Sequence, residues 1–163
     1  FGKTFICLDD KNNRSILSKI KNQNIITYGI NKKSNFRIKN IDLKANISKF
    51  DLEINLPNQE KRLIKSLRLP LIGTHNIKNC CASIAVAITM GISINIIKKA
   101  ILNFKGVQRR FNFIFEYEKS IYYDDYAHHP TEIYELLKST REVYKSKKII
   151  SIFQPHRISR LIH

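Results

Sequence analysis

Residues 124–132 read DDYAHHPTE, from Asp124 to Glu132. The apolar and aromatic run Ser120-Ile-Tyr-Tyr leads into this stretch, and a periodic segment opens at Pro130. The pattern predicts strand, turn and helix. Proline fits the first helical position, where its missing N–H costs nothing, and Glu132 suits the positive helix start. Asp124, Asp125, Tyr126, His128 and His129 are thereby crowded at the carboxyl end of a strand, where open α/β sheets bind ligands. A solvated, well-capped turn is the competing reading. Five polar groups at one strand end, with a second such cluster downstream, favour a site.

Downstream, Pro130 to Tyr144 predicts an amphipathic helix with Ile133, Leu136, Leu137 and Val143 inward. Lys148 to Phe153 (KIISIF) reads as another buried strand, followed by Gln154-Pro-His-Arg-Ile-Ser-Arg160. Arg157 and Arg160 are three apart, so in a helical turn they point the same way and suit a phosphate or carboxylate. A solvated basic loop is the alternative. A right-handed crossover through the intervening helix would make the two strands parallel and bring both polar clusters to one sheet edge.

Upstream, Thr4 to Leu8 predicts a buried strand. A helix follows, capped by Asp9 or Asp10 and running through Ile16, Leu17 and Ile20, and Asn24 to Tyr28 is the next strand, closed by Gly29. This βαβ unit favours a parallel sheet and an α/β fold. Gly2-Lys3-Thr4 looks like the tail of a phosphate-binding loop, but a strand-like run follows it and the first glycine is missing, so we reject that reading. Phe36–Leu43, Ile47–Leu56 and Lys65–Leu71 alternate loosely and predict antiparallel strands with a half-exposed face.

Gly73-Thr-His-Asn-Ile-Lys-Asn79 precedes CCASIAVAITMG. Thr74 is a candidate N-cap for a helix from about His75 to Met90 that stops at Gly91. Asn76 and Asn79 share a face of its first turn. Two amides there offer the donor and acceptor that a purine edge requires; local backbone satisfaction is the rival explanation. Ser93 caps a second helix, Asn95 to Asn103. Phe104-Lys-Gly-Val-Gln-Arg-Arg-Phe111 then breaks the pattern, and Phe111 to Tyr117 alternates again. We expect a domain boundary near Val107–Arg109, dividing the chain into residues 1–108 and 109–163. An arginine at such a hinge suits a phosphate or sugar.

The 163 residues suffice for one domain or pieces of two, and a 43% hydrophobic share supports a real core. No apolar run is long enough to span a bilayer. The opening FGKTFICLDD lacks a signal-peptide pattern and begins as if in mid-strand, so both ends read as cuts. Three cysteines without a CxxC suit small core residues in a reducing cytoplasm. A net charge of +16 raises nucleic-acid binding as a function class. The lysines are scattered rather than striped, and Ile, Lys and Asn, all with A/T-rich codons, supply 63 of 163 residues. Codon bias therefore accounts for the charge. A zinc site from Asp124, Asp125, His128 and His129 is a further rival on donor chemistry.

Four motifs stand in one order: GTHNIKN, FKGVQRRF, DDYAHHPTE and FQPHRISR. Together they resemble the Mur ligases of peptidoglycan synthesis, and within them the branch that joins L-alanine to UDP-N-acetylmuramate. The murein-peptide recycling ligase has a similar DD-x-AHHPT turn and is the alternative within the superfamily; a basic nucleic-acid-binding module is the alternative outside it. The resemblance implies the distal half of a P-loop-type central ATPase domain with an antiparallel side sheet, then the start of a Rossmann-like C-terminal domain. The family's phosphate-binding loop and magnesium ligands are expected upstream of Phe1, so this polypeptide alone is expected to be inactive.

The implied chemistry is ATP-dependent amide ligation in the cytoplasm. ATP, with magnesium, phosphorylates a carboxylate, and the amine of L-alanine attacks the acyl phosphate; cationic groups offset the developing charge. By resemblance, His75, Asn76 and Asn79 border the adenine. Arg110 and Asp125 reach the ribose or phosphates, so Arg110, Asp125 and His128 are the residues carried over as catalytic. Tyr126, His128, His156, Arg157 and Arg160 line the cleft for L-alanine and the muramyl group. The family uses no metal at the DDYAHHPTE turn, and small molecules rather than nucleic acid or membrane are the implied partners.

Overall fold

The computed structural model describes residues 2–17, 19–20, 24–44 and 47–155. Two compact units divide the chain, Phe1–Phe104 and Lys105–His163.

The first unit is a five-stranded sheet in the order β1-β2-β3-β4-β5. Its strands are β1 (Thr4–Cys7), β2 (Ile25–Gly29), β3 (Phe36–Lys44), β4 (Ile47–Ile54) and β5 (Arg62–Leu69). β1, β2 and β3 pair in parallel, and β3, β4 and β5 pair antiparallel. The predicted parallel unit and antiparallel side strands are thus one mixed sheet. α1 (Lys11–Leu17) lies between β1 and β2 in the chain, while α2 (Thr74–Thr89) and α3 (Ile94–Leu102) follow the sheet.

β4 shows why one face closes. Ser48, Phe50, Leu52 and Ile54 are buried and alternate with more exposed neighbours. Their period of two sends one set to a single face. Ile77, Cys81, Ile84 and Ala85 of α2 cover that face with Phe36, Ile38, Leu67 and Leu69. Most of these side chains are fully buried, at about 1.5–3 kcal/mol each for the larger ones. The buried hydrophobic residues described all fall between Leu8 and Ile97.

Two bulges bend this sheet. The β3–β4 register shifts between Lys39 and Asp42, and the β4–β5 register between Phe50 and Leu52. Asn40 and Ser66 carry the positive φ values, 50° and 56°. The Asp51 carboxylate accepts from both, from Asn40 Nδ2 at 2.7 Å and from the Ser66 N–H at 2.8 Å.

Helix ends differ from expectation in instructive ways. Asp10 caps α1, accepting from the Asn13 N–H at 2.9 Å, while Asp9 is used elsewhere. α1 ends at Leu17, before Ile20. Thr74 is the first residue of α2 rather than its cap. Gly73 occupies that position with φ 99°, and no side chain caps it. The stop at Gly91 has a physical basis: Gly91 N–H donates to Ile88 O and Ile92 N–H to Ala87 O, each at 3.0 Å, with Gly91 at φ 82°. This is the left-handed Schellman termination that glycine favours. Ser93 stands at the N-cap of α3 without a side-chain hydrogen bond.

The second unit contains a hairpin of β6 (Asn112–Tyr117) and β7 (Ser120–Asp124), then α4 (Pro130–Val143). The two hairpin-turn residues are Glu118 and Lys119, with φ 46° and 67°. Both therefore adopt the left-handed conformation that two-residue turns require, without the usual glycine. Phe111 stacks on Tyr123 at 4.2 Å and Phe115 on Tyr122 at 4.3 Å.

Lys148–Phe153 is not a strand. Ile150 and Ile152 are 75% and 95% exposed. An extended segment becomes a strand only when a neighbour shares its backbone hydrogen bonds, and among the described residues no strand pairs with it. β7 likewise pairs only with antiparallel β6 among the described residues. The predicted parallel pairing of two strands around the α4 crossover does not form there. His156, Arg157 and Arg160 lie outside the described residues.

Candidate functional site

Each unit carries one of the predicted clusters. In the first, α2 begins beside the carboxyl ends of parallel β1 and β2. Ile77 is fully buried and pins the helix start to the sheet. Asn76 is half-buried, and its Nδ2 donates to Ile72 O at 2.8 Å. Its amide is therefore partly committed to local backbone, and its Oδ1 keeps acceptor capacity. Asn79 is exposed, with donor and acceptor both presented at the surface. His75 is half-buried in the same turn.

Sequence reasoning missed the central group of this edge. Asp9 does not cap α1. Its Oδ1 accepts from Ile30 N–H at 3.0 Å and from Asn31 N–H at 2.9 Å, and Oδ2 lies 3.0 Å from Ile30 N–H. Lys78 Nζ approaches Oδ2 at 3.2 Å. Gly29 leaves the room: at φ 140°, a Cβ there would lie 2.7 Å from Asp9 Oδ1. Gly29 was legible only as a strand end; its relation to Asp9 spans twenty residues and needs the fold.

In the second unit, the DDYAHHPTE turn is held by backbone donors. Asp125 Oδ2 accepts from Phe111 N–H and Oδ1 from Ala127 N–H, each at 2.6 Å. Asp125 therefore ties the segment entering β6 to the turn leaving β7. The Tyr126 N–H donates to Arg109 O at 2.7 Å. The Arg109 guanidinium lies 5.1 Å from the Tyr126 ring centroid, with Nε 3.4 Å from Asp124 Oδ2. Of the paired arginines, Arg109 is thus engaged with the turn. Arg110 donates its backbone N–H to Val107 O at 3.2 Å and has an exposed side chain.

The adjacent histidines use their Nδ1 atoms in opposite ways. His128 Nδ1 lies 2.9 Å from Tyr126 O. A carbonyl only accepts, so His128 Nδ1 bears a proton in this contact. His129 Nδ1 instead accepts from the Thr131 N–H at 3.3 Å, capping α4. Glu132 closes this capping box, accepting from His129 N–H at 3.2 Å and His128 N–H at 3.3 Å. Burial pushes the Glu132 carboxyl up, but those two N–H groups, with His128 and Arg110 nearby, bring it below its ordinary value. The helix start was legible as Pro130 and Glu132; His129 as the cap was not, because histidine is a rare N-cap.

Among the described residues, no group of three or more His, Cys, Asp or Glu side chains is arranged to hold a metal ion. No described helix is long and apolar enough to cross a membrane.

Residues 2–87 match the family model described as Mur ligase middle domain, and residues 109–161 match Mur ligase, glutamate ligase domain. A protein of Pelagibacter ubique named UDP-N-acetylmuramate–L-alanine ligase is 59% identical over 99% of this chain and 35% of its own length. A Rickettsia felis protein of the same name is 41% identical over 100% of the chain and 35% of its own length. The crystal structure of UDP-N-acetylmuramate–alanine ligase MurC from Thermotoga maritima is similar with a TM-score of 0.68 and 34% identity, covering 81% of this chain and 30% of that one. The chain thus spans about a third of the length of the curated relatives it matches.

Proposed function

The chain belongs to the Mur ligase family, and on that premise we propose that it is part of an ATP-dependent ligase joining L-alanine to UDP-N-acetylmuramate in peptidoglycan precursor synthesis. The observation that carries this reading is the order of THNIKN at the start of α2 and DDYAHHPTE between β7 and α4, in a chain matched end to end by relatives named for that reaction. Residues 1–108 form the distal part of the central domain and residues 109–163 the start of the C-terminal one. The protein works in the cytoplasm.

ATP supplies the phosphoryl group that activates the substrate carboxylate; the residues of this chain bind and orient. The amides fit a purine edge: Asn79 presents donor and acceptor, and Asn76 retains its acceptor oxygen beyond the bond to Ile72. His75 borders them. Arg110, with its exposed guanidinium, suits the ribose or phosphates. Asp125 makes its two backbone bonds and accepts sugar hydroxyls on remaining lone pairs, since each carboxylate oxygen has two. His128, held in the same turn by its Nδ1 contact with Tyr126 O, lines the cleft for L-alanine and the muramyl group. Tyr126, His156, Arg157 and Arg160 serve L-alanine and the muramyl group. Magnesium ligands are assigned outside these residues.

The test uses the full-length protein that carries this sequence. With ATP, magnesium, UDP-N-acetylmuramate and L-alanine, it releases one phosphate per amide formed, and mass spectrometry finds the alanyl product. Ligation of a murein peptide in place of L-alanine identifies a recycling enzyme instead. No ligation with either amine refutes the reading. The 163-residue polypeptide alone releases no phosphate.

A further inference from the structure

Three elements of the first unit meet at Asp9. It follows β1, it accepts from the two N–H groups that follow β2, and it pairs with Lys78 on α2. The side chains of Asp9 and Lys78 are 14% and 31% exposed, so the pair is sheltered from solvent. Gly29 preserves the space, because any Cβ there would overlap the carboxylate.

α2 needs such a tether. Its N-cap is Gly73, no side chain caps it, and its first turn holds no acidic residue. Burial of Ile77 fixes how close the helix start lies to the sheet but does little against rolling or sliding, since hydrophobic contact is non-directional. A charge-assisted pair on the adjacent residue is directional. Lys78 sits between Asn76 and Asn79 in sequence, on the turns that carry the proposed purine contacts.

We propose that Asp9 is a positioning residue: through Lys78 it sets the placement of His75, Asn76 and Asn79 for a purine nucleotide. This rests on the nucleotide reading above. Asp9 itself touches no nucleotide; it acts through the helix.

The experiment is made in the full-length protein, with steady-state kinetics and thermal unfolding side by side. Lys78→Met keeps the apolar stem and removes the charge, Lys78→Arg restores it, and Asp9→Asn weakens the pair from the other side. In Lys78→Met and Asp9→Asn, KM for ATP is expected to rise about two- to fivefold, the range for a partly sheltered pair. Turnover and KM for L-alanine stay near wild type, and Lys78→Arg returns KM for ATP toward wild type. A lowered melting temperature with unchanged KM for ATP in Lys78→Met would overturn the proposal, since the pair would then be a structural tie alone. Asn79→Ala separates the two claims. If it raises KM for ATP while the Lys78 and Asp9 variants do not, positioning fails and the nucleotide reading stands. If Asn79→Ala also leaves it unchanged, the nucleotide reading fails and this inference falls with it.

Discussion

Asp51 Oδ1 accepts a 2.8 Å hydrogen bond from the backbone N–H of Ser66, the left-handed residue at the β5 bulge. The same carboxylate holds Asn40 at the β3 bulge, so one side chain on the central antiparallel strand secures irregularities on both its neighbours. The Ser66 N–H, followed by the Asn40 amide, lowers the Asp51 pKa. A depressed folded-state value means stability that is fully present above the unfolded value of about 3.9 and lost as pH falls through the folded one. Asp51→Asn should lower the melting temperature at pH 6, and its difference from wild type should shrink below pH ~4. A difference independent of pH would remove the carboxylate from the account.

Gly29→Ala should destabilise the first unit by about 1–3 kcal/mol, from a strained left-side φ and the overlap with Asp9. If the overlap dominates, Asp9→Ala in the same chain costs less in the Gly29→Ala background than in wild type. Strict additivity in denaturant unfolding would assign the whole loss to the backbone.

The two asparagines should separate. Asn79→Ala is expected to raise KM for ATP in the full-length protein with little change in melting temperature, because its side chain is exposed. Asn76→Ala should raise KM for ATP and also lower the melting temperature, since its amide also satisfies Ile72 O, at a cost of about 1 kcal/mol in stability. Equal behaviour of the two variants would contradict this division.

Asp125→Asn replaces one of two accepting oxygens with a donor facing a backbone N–H. The second unit should lose about 1–3 kcal/mol, read as earlier loss of amide protection around Phe111 or Ala127 in hydrogen exchange. Unchanged protection there would mean that the two bonds contribute nothing to holding the turn.

Arg157→Lys and Arg160→Lys keep the charge but lose the fork of donors suited to anions. In the full-length protein they should impair kinetics for UDP-N-acetylmuramate or L-alanine and leave KM for ATP near wild type. Wild-type constants for both substrates would return these arginines to a solvated loop.

Local chemistry made several features readable in the sequence alone. The alternation in Ile47–Ile54 announced a one-faced strand, Gly91 a helix stop, and Pro130 with Glu132 a helix start, because each depends on residues within a turn or a pleat of one another. The motif order carried the family, since four short polar clusters at fixed relative places rarely recur by accident. Tertiary structure decided the rest. Whether Asp9 or Asp10 caps α1 is undetermined by two adjacent carboxylates; Asp9 is drawn away by N–H groups twenty-one and twenty-two residues distant. Which arginine of the pair engages Tyr126 depends on the backbone turn at Arg109, with its φ of 58°. KIISIF has the composition of a strand, yet a strand is a relation between two segments, and hydrophobic content in one of them cannot supply its partner.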